Sequence, residues 1–203
     1  MMKFRFKEMD YLPNPSDFSE NPLIEELFFT ISNEFGIAPI LATYKIIPEN
    51  LNLIEFDFDN EKNFNKFISD FAEFANPLWS KKVVGTKWNF QNIKKRPMKD
   101  KIDGLLKIFL TGGPYTKGLE KDESYKLEEK FRTYFQKEDT NKLYIFCLAE
   151  YEISNGGKFS CNFEYSDFSN ISDFFELMVW DDLILIINPN TQDFIVLAVT
   201  ARD

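Results

Sequence analysis

Two apolar runs flanking a turn constrain this chain more than any other feature. Leu183-Ile184-Leu185-Ile186-Ile187 leads into Asn188-Pro189-Asn190-Thr191-Gln192-Asp193, and then Phe194-Ile195-Val196-Leu197-Ala198-Val199-Thr200. Both runs are rich in β-branched residues, which favours strand over helix. Neither alternates with polar residues, so a strand made from either must be covered on both faces. Pro189 suits the second position of a type I turn, and Asn190 tolerates the next. The expectation is a hairpin over 183–200 at the centre of a sheet, with helices on at least one side.

Two further hairpins are expected. Ile37 to Ile47 and Leu51 to Asp59 read as extended runs joined at Pro48-Glu49-Asn50, a hairpin over about 37–58. In its second run Ile54, Phe56 and Phe58 face one way and Glu55, Asp57 and Asp59 the other. Leu143 to Ile153 and Lys158 to Tyr165 flank Asn155-Gly156, a strong hairpin signal over about 143–165. With Asn155 and Gly156 as the two turn residues, Cys161 falls opposite Glu150 and Cys147 opposite Glu164. Lys3 to Lys7 alternates and suits an edge strand, and Val83 to Ile93 reads as extended.

Helical spacing fills the intervals. Pro22 opens a helix carrying Leu23, Leu27, Phe28 and Ile31, with Gly36 at its end. Asn60 caps a helix bearing Phe64, Phe67, Ile68, Phe71, Phe74 and Ala75, closed at Asn76-Pro77. Met98, Ile102, Leu105, Leu106 and Phe109 form another apolar face, Asp122 to Gln136 a further helix, and Ser172 starts a short one to about Val179. The fold class is therefore α+β: a mostly antiparallel sheet of hairpins packed against amphipathic helices, in a single domain over 1–203. Ile68-Ser69-Asp70-Phe71-Ala72-Glu73-Phe74 matches Ile171-Ser172-Asp173-Phe174-Phe175-Glu176-Leu177 at five of seven positions. Two related hairpin-helix-strand halves, 37–90 and 142–200, would account for that echo.

Composition narrows the chemistry. The 203 residues include no histidine, which removes Ser-His and Cys-His nucleophiles. Two cysteines alone complete neither a zinc tetrahedron nor a disulfide framework. The loop at Gly112-Gly113 lacks the Gly-Lys-Ser/Thr of a phosphate-binding loop. Uninterrupted apolar runs such as Phe194 to Val199 are far short of the ~20 residues that cross a bilayer. The N-terminal residues lack the apolar core of a signal peptide, so the expected compartment is cytoplasmic. No cofactor or metal is called for.

Charge is unevenly spread. Residues 81 to 107 carry nine basic and two acidic side chains, a net of +7 in a chain of −9, which leaves −16 elsewhere. Lys81, Lys82, Lys87, Lys94, Lys95, Arg96, Lys99 and Lys101 lie in this basic patch among Trp79, Trp88 and Phe90, a combination that can grip phosphates and stack bases. The acidic remainder opposes a polyanion, so nucleic acid is the disfavoured partner. Glu55, Asp57 and Asp59, with Glu150, Glu152 and Glu164 on the other hairpin, form acidic faces suited to a basic protein partner. The expected function is an acidic cytoplasmic interaction protein. Its charge and size resemble those of small bacterial proteins that neutralise toxins. The alternative is a carboxylate enzyme using Asp57, Asp59, Glu150 and Glu164, with or without a divalent metal.

Overall fold

In a computed structural model of the chain, the described residues are 3–12, 22–35, 37–49, 51–83, 85–93, 109, 117–136, 142–147, 150–153, 159–162, 169–175 and 181–201. Seven strands are described: β1 (Lys3–Leu12), β2 (Ile37–Glu49), β3 (Tyr144–Cys147), β4 (Glu150–Ile153), β5 (Phe159–Asn162), β6 (Asp182–Asn188) and β7 (Asp193–Ala201). The main helices are α1 (Pro22–Phe29), α2 (Glu61–Lys82) and α3 (Lys121–Gln136). The fold is α+β. Its main sheet has five antiparallel strands in the order β1-β2-β7-β6-β3, and β4 and β5 form a separate two-stranded ribbon.

The expected hairpin over 183–200 is the centre of this sheet. β6 and β7 pair from Asp182↔Val199 to Asn188↔Asp193 around a four-residue turn. Every residue of β6 is buried, as its unbroken apolar run requires. Because successive strand side chains alternate, the sheet builds two cores. On one face Tyr44, Phe194, Val196, Leu185 and Phe6 meet Phe64, Phe67, Phe71 and Trp79 of α2. On the other, Leu41, Ile184, Ile186, Ile195 and Leu197 meet Ile24, Leu27 and Phe28 of α1 and Phe131 and Phe135 of α3. The sheet is thus sandwiched between α2 and the α1–α3 layer.

β1 pairs only with β2 among the described residues, so it is the edge strand that its alternation suggested. α1 begins at Pro22 and passes into a π-helical turn over Thr30–Glu34. Asn60 caps α2 by accepting from the Asn63 N–H at 3.2 Å. Contrary to expectation, α2 does not stop at Pro77 but continues to Lys82. The carbonyl that the missing proline N–H would have satisfied lies on the solvent side, since Glu73 and Pro77 are both exposed. Beyond Pro77, Trp79 is fully buried and its indole N–H donates to the Tyr44 hydroxyl at 2.6 Å, which anchors the last turn.

The hairpin over 37–58 does not form. β2 already has β1 on one side and β7 on the other, so no edge is left for 51–59 to pair with. That segment folds instead as a 3-10 turn at Leu53–Glu55 followed by a bend into α2. The hairpin over 143–165 is divided. β3 joins β6 in the main sheet, with Cys147 opposite Ile184. Only β4 and β5 pair with each other. Ile153 faces Phe159, leaving five residues between them rather than two, so Tyr151, not Glu150, lies opposite Cys161. Val83–Ile93 is not a strand either. Trp88 makes one bridge to Ser172, and Phe90–Asn92 is a 3-10 turn.

The two echoing segments adopt different structures. Ile68–Phe74 is mid-helix, whereas at the second copy Ile171 ends a helical stretch, Ser172 bridges to Trp88 and a turn follows. The helix expected to start at Ser172 is therefore ending there instead. Of the apolar face expected after Pro97, only Phe109 is among the described residues; it is helical and buried.

Candidate functional site

The acidic segment before α2 is held rigidly. Asn52 Oδ1 accepts from the Ile54 N–H at 3.1 Å and sets the 3-10 turn. Leu53, Phe56 and Phe58 are buried beneath it. Phe58 packs edge-on against Phe56 at 4.7 Å and Phe67 at 5.2 Å. Asp57 Oδ1 accepts from the Asp59 N–H at 3.0 Å, and the Asp57 carbonyl accepts from the Asn63 side chain at 3.0 Å. The Tyr144 hydroxyl donates to the Phe56 carbonyl at 3.4 Å.

On this base Glu55, Asp57 and Asp59 all point to solvent, as the alternation implied. Ile54 departs from it. Instead of joining Phe56 and Phe58 it is 64% exposed, an apolar side chain beside the acids. Asp59 has an internal partner, the Lys142 ammonium at 3.2 Å, which also sits 4.1 Å over the Tyr144 ring. The hydrogen bond to Tyr144, with Asp59 contributing less, raises Lys142 above the ordinary lysine value.

Of the other acidic candidates, two lie on the ribbon of β4 and β5 and one lies outside the described residues. Glu150 and Glu152 occupy alternate positions of β4, opposite Asn162 and Ser160. Glu164 lies outside the described residues.

Three residues of the basic patch are described. Lys81 and Lys82 end α2, and Lys87 is exposed on the following loop. Lys82 is engaged by Glu8 and lies 4.1 Å over the Tyr11 ring. Lys94, Lys95, Arg96, Lys99 and Lys101 lie outside the described residues. The aromatic residues between them are core. Trp79, Trp88 and Phe90 are buried and pack on one another at 4.6 to 5.3 Å, so none offers a free ring face to a base.

Of the candidate metal or catalytic carboxylates, Asp57 accepts from the Asp59 N–H within the loop and Asp59 pairs with Lys142 just ahead of β3. Among the described residues no group of three or more Asp, Glu or Cys side chains is placed to hold a metal ion. Nor is any described helix long and apolar enough to cross a membrane.

Sequence reasoning missed a cavity of about 220 Å³ under α1 and α3 near the β6–β7 turn. Its residues come from five separate stretches of chain, so no local pattern marks it.

No family model matches this chain, and no curated protein or solved structure matches it either.

Proposed function

We propose that this protein is an acidic interaction protein whose 53–59 segment docks a basic protein partner, with toxin neutralisation as the specific form of that role and the cytoplasm as its compartment. The observation that carries the reading is the exposure of Ile54 beside Glu55, Asp57 and Asp59 on a loop fixed by buried Leu53, Phe56 and Phe58. An exposed apolar anchor rimmed by charge is the usual composition of a binding hot spot. The loop's fixed shape limits the conformational entropy lost on binding. The chain's net charge of −9 steers a basic partner toward it, faster at low salt.

The test is capture of a partner by the full chain at low salt, followed by titration of the purified pair. A basic protein released by salt, and weakened at least tenfold by combining Ile54→Ala, Glu55→Gln, Asp57→Asn and Asp59→Asn, is the expected result. Undiminished affinity in that variant eliminates the surface, and captured nucleic acid in place of protein eliminates the reading.

A further inference from the structure

The cavity under α1 and α3 is built from two rows of side chains that cross the sheet. Register places Thr43 opposite Ile195 and Ile195 opposite Ile186, which makes the floor. Two residues along, on the same face, Lys45 lies opposite Asp193 and Asp193 opposite Asn188, which makes the rim. Ile24 of α1 and Phe135 of α3 close the roof. Asn188 fixes the roof to the rim, because its side-chain amide donates to the carbonyls of Phe135 at 2.9 Å and Gln136 at 3.1 Å.

The rim sets the ligand's charge. Lys45 Nζ donates to the Thr191 carbonyl at 2.9 Å and lies 2.6 Å from Asp193 Oδ1. A lysine ammonium has three N–H donors, so one remains for a ligand. The pair is already neutral. An anion would face Asp193 and the partially negative C-terminal end of α3, and a cation would face Lys45. A hydroxyl suits both partners, accepting from Lys45 and donating to Asp193.

The walls set its size. A dry cavity of about 150 Å³ is known to hold benzene. At about 220 Å³, this one takes such a ring with a small substituent. The lining is about equally polar and apolar, with Ile24, Phe135, Ile186 and Ile195 on one side and Lys45, Asn188 and Asp193 at the rim. Such a mixture suits a small ligand that is part ring and part polar group.

We propose that this cavity binds a small neutral aromatic alcohol of the phenol class, its ring between Ile24, Phe135, Ile186 and Ile195 and its hydroxyl on the Lys45–Asp193 pair. This site shares no residue with the acidic segment.

The experiment is amide NMR titration of the full chain with four matched probes: 4-methylphenol, toluene, 4-methylbenzoate and 4-methylbenzylamine. Saturable shifts at Thr43, Ile186 and Ile195 are expected with 4-methylphenol. Toluene should bind about five- to tenfold more weakly, as expected from one net hydrogen bond, and the two ions more weakly still. Lys45→Met, at a side chain 40% exposed, should weaken 4-methylphenol toward the toluene level, since only the Asp193 partner remains, while leaving toluene unchanged. Ile24→Phe should block both neutral probes. The proposal is overturned by absent or non-saturable shifts at those residues, by tighter binding of either ion, or by an unchanged 4-methylphenol affinity in Lys45→Met.

Discussion

The backbone N–H of Phe4 donates to the carboxylate of Asp70 at 3.0 Å, so a side chain of α2 caps a backbone donor of the edge strand β1. Asp70 is almost wholly buried there, and Lys66 one turn before it in α2 pairs with it at 2.5 Å. Pro48 lies opposite Phe4 in β2. Unpaired strand edges invite further strands, and a capped donor removes one rung. Asp70→Ala should cost about 1–3 kcal/mol in urea unfolding, since it leaves a buried N–H without a partner. Asp70→Asn keeps an acceptor and should cost less. Equal losses would show that the carbonyl-type acceptor is not what matters.

Phe67 and Phe71 test the core between α2 and the sheet. Phe67 packs within 5.4 Å of Phe4, Phe6, Phe58 and Phe194, and Phe71 within 5.3 Å of Phe6, Tyr44, Phe90 and Phe194. Either one changed to Ala should destabilise by about 3–5 kcal/mol, from lost burial plus the cavity left behind. A loss below about 1 kcal/mol would mean that α2 does not pack through this face.

Tyr44 supplies a prediction at alkaline pH. Burial pushes its hydroxyl well above the usual tyrosine value, against the opposing hydrogen bond from Trp79. The folded state therefore holds the proton after the unfolded chain has released it. The contribution is complete below pH ~10 and falls by about 1.4 kcal/mol per unit above it. Stability of the native chain should drop faster than that of Tyr44→Phe between pH 10 and 11. At pH 7 the same variant should be about 1–3 kcal/mol less stable, because the Trp79 N–H loses its acceptor. Parallel alkaline curves for the two proteins would remove Tyr44 from the account.

Pro77 is the one proline within α2, and it is exposed. Replacing it with Ala restores a helix donor and should stabilise by roughly 1–3 kcal/mol, less than the full penalty of an interior proline because the surrounding helix is already adapted to it. Thermal unfolding measures this directly, and a lower midpoint for Pro77→Ala would show that the backbone geometry proline imposes is needed for packing of Trp79.

Legibility in the sequence followed how local each cause was. The unbroken runs of β6 and β7 announce burial on both faces without reference to other residues, and both cores confirm it. The cap at Asn60 and the Phe stripe of α2 are equally local. The segment 51–59 misled because burial of Phe56 and Phe58 produces strand-like alternation with no partner strand present. What decides its structure is that β2 is paired on both sides, a fact distributed over residues 3 to 201. The end of α2 misled for a similar reason: Trp79 packing against Tyr44, Tyr11, Trp88 and Phe90 overrides the local stop signal of Pro77. The acidic residues of the candidate surface were readable, but the outward turn of Ile54 was not. The Lys45–Asp193 pair needed the register of two strands at opposite ends of the chain.

β7 is the third of five strands across the sheet yet the last of them along the chain. A ribosome adding about 5–20 residues per second leaves β2 without that neighbour for roughly 8–30 s after it is made. During that interval Tyr44 and its neighbours await a partner strand that does not yet exist. Yield in the cell should therefore depend on translation speed and on holding chaperones more than the folded protein's stability alone would suggest.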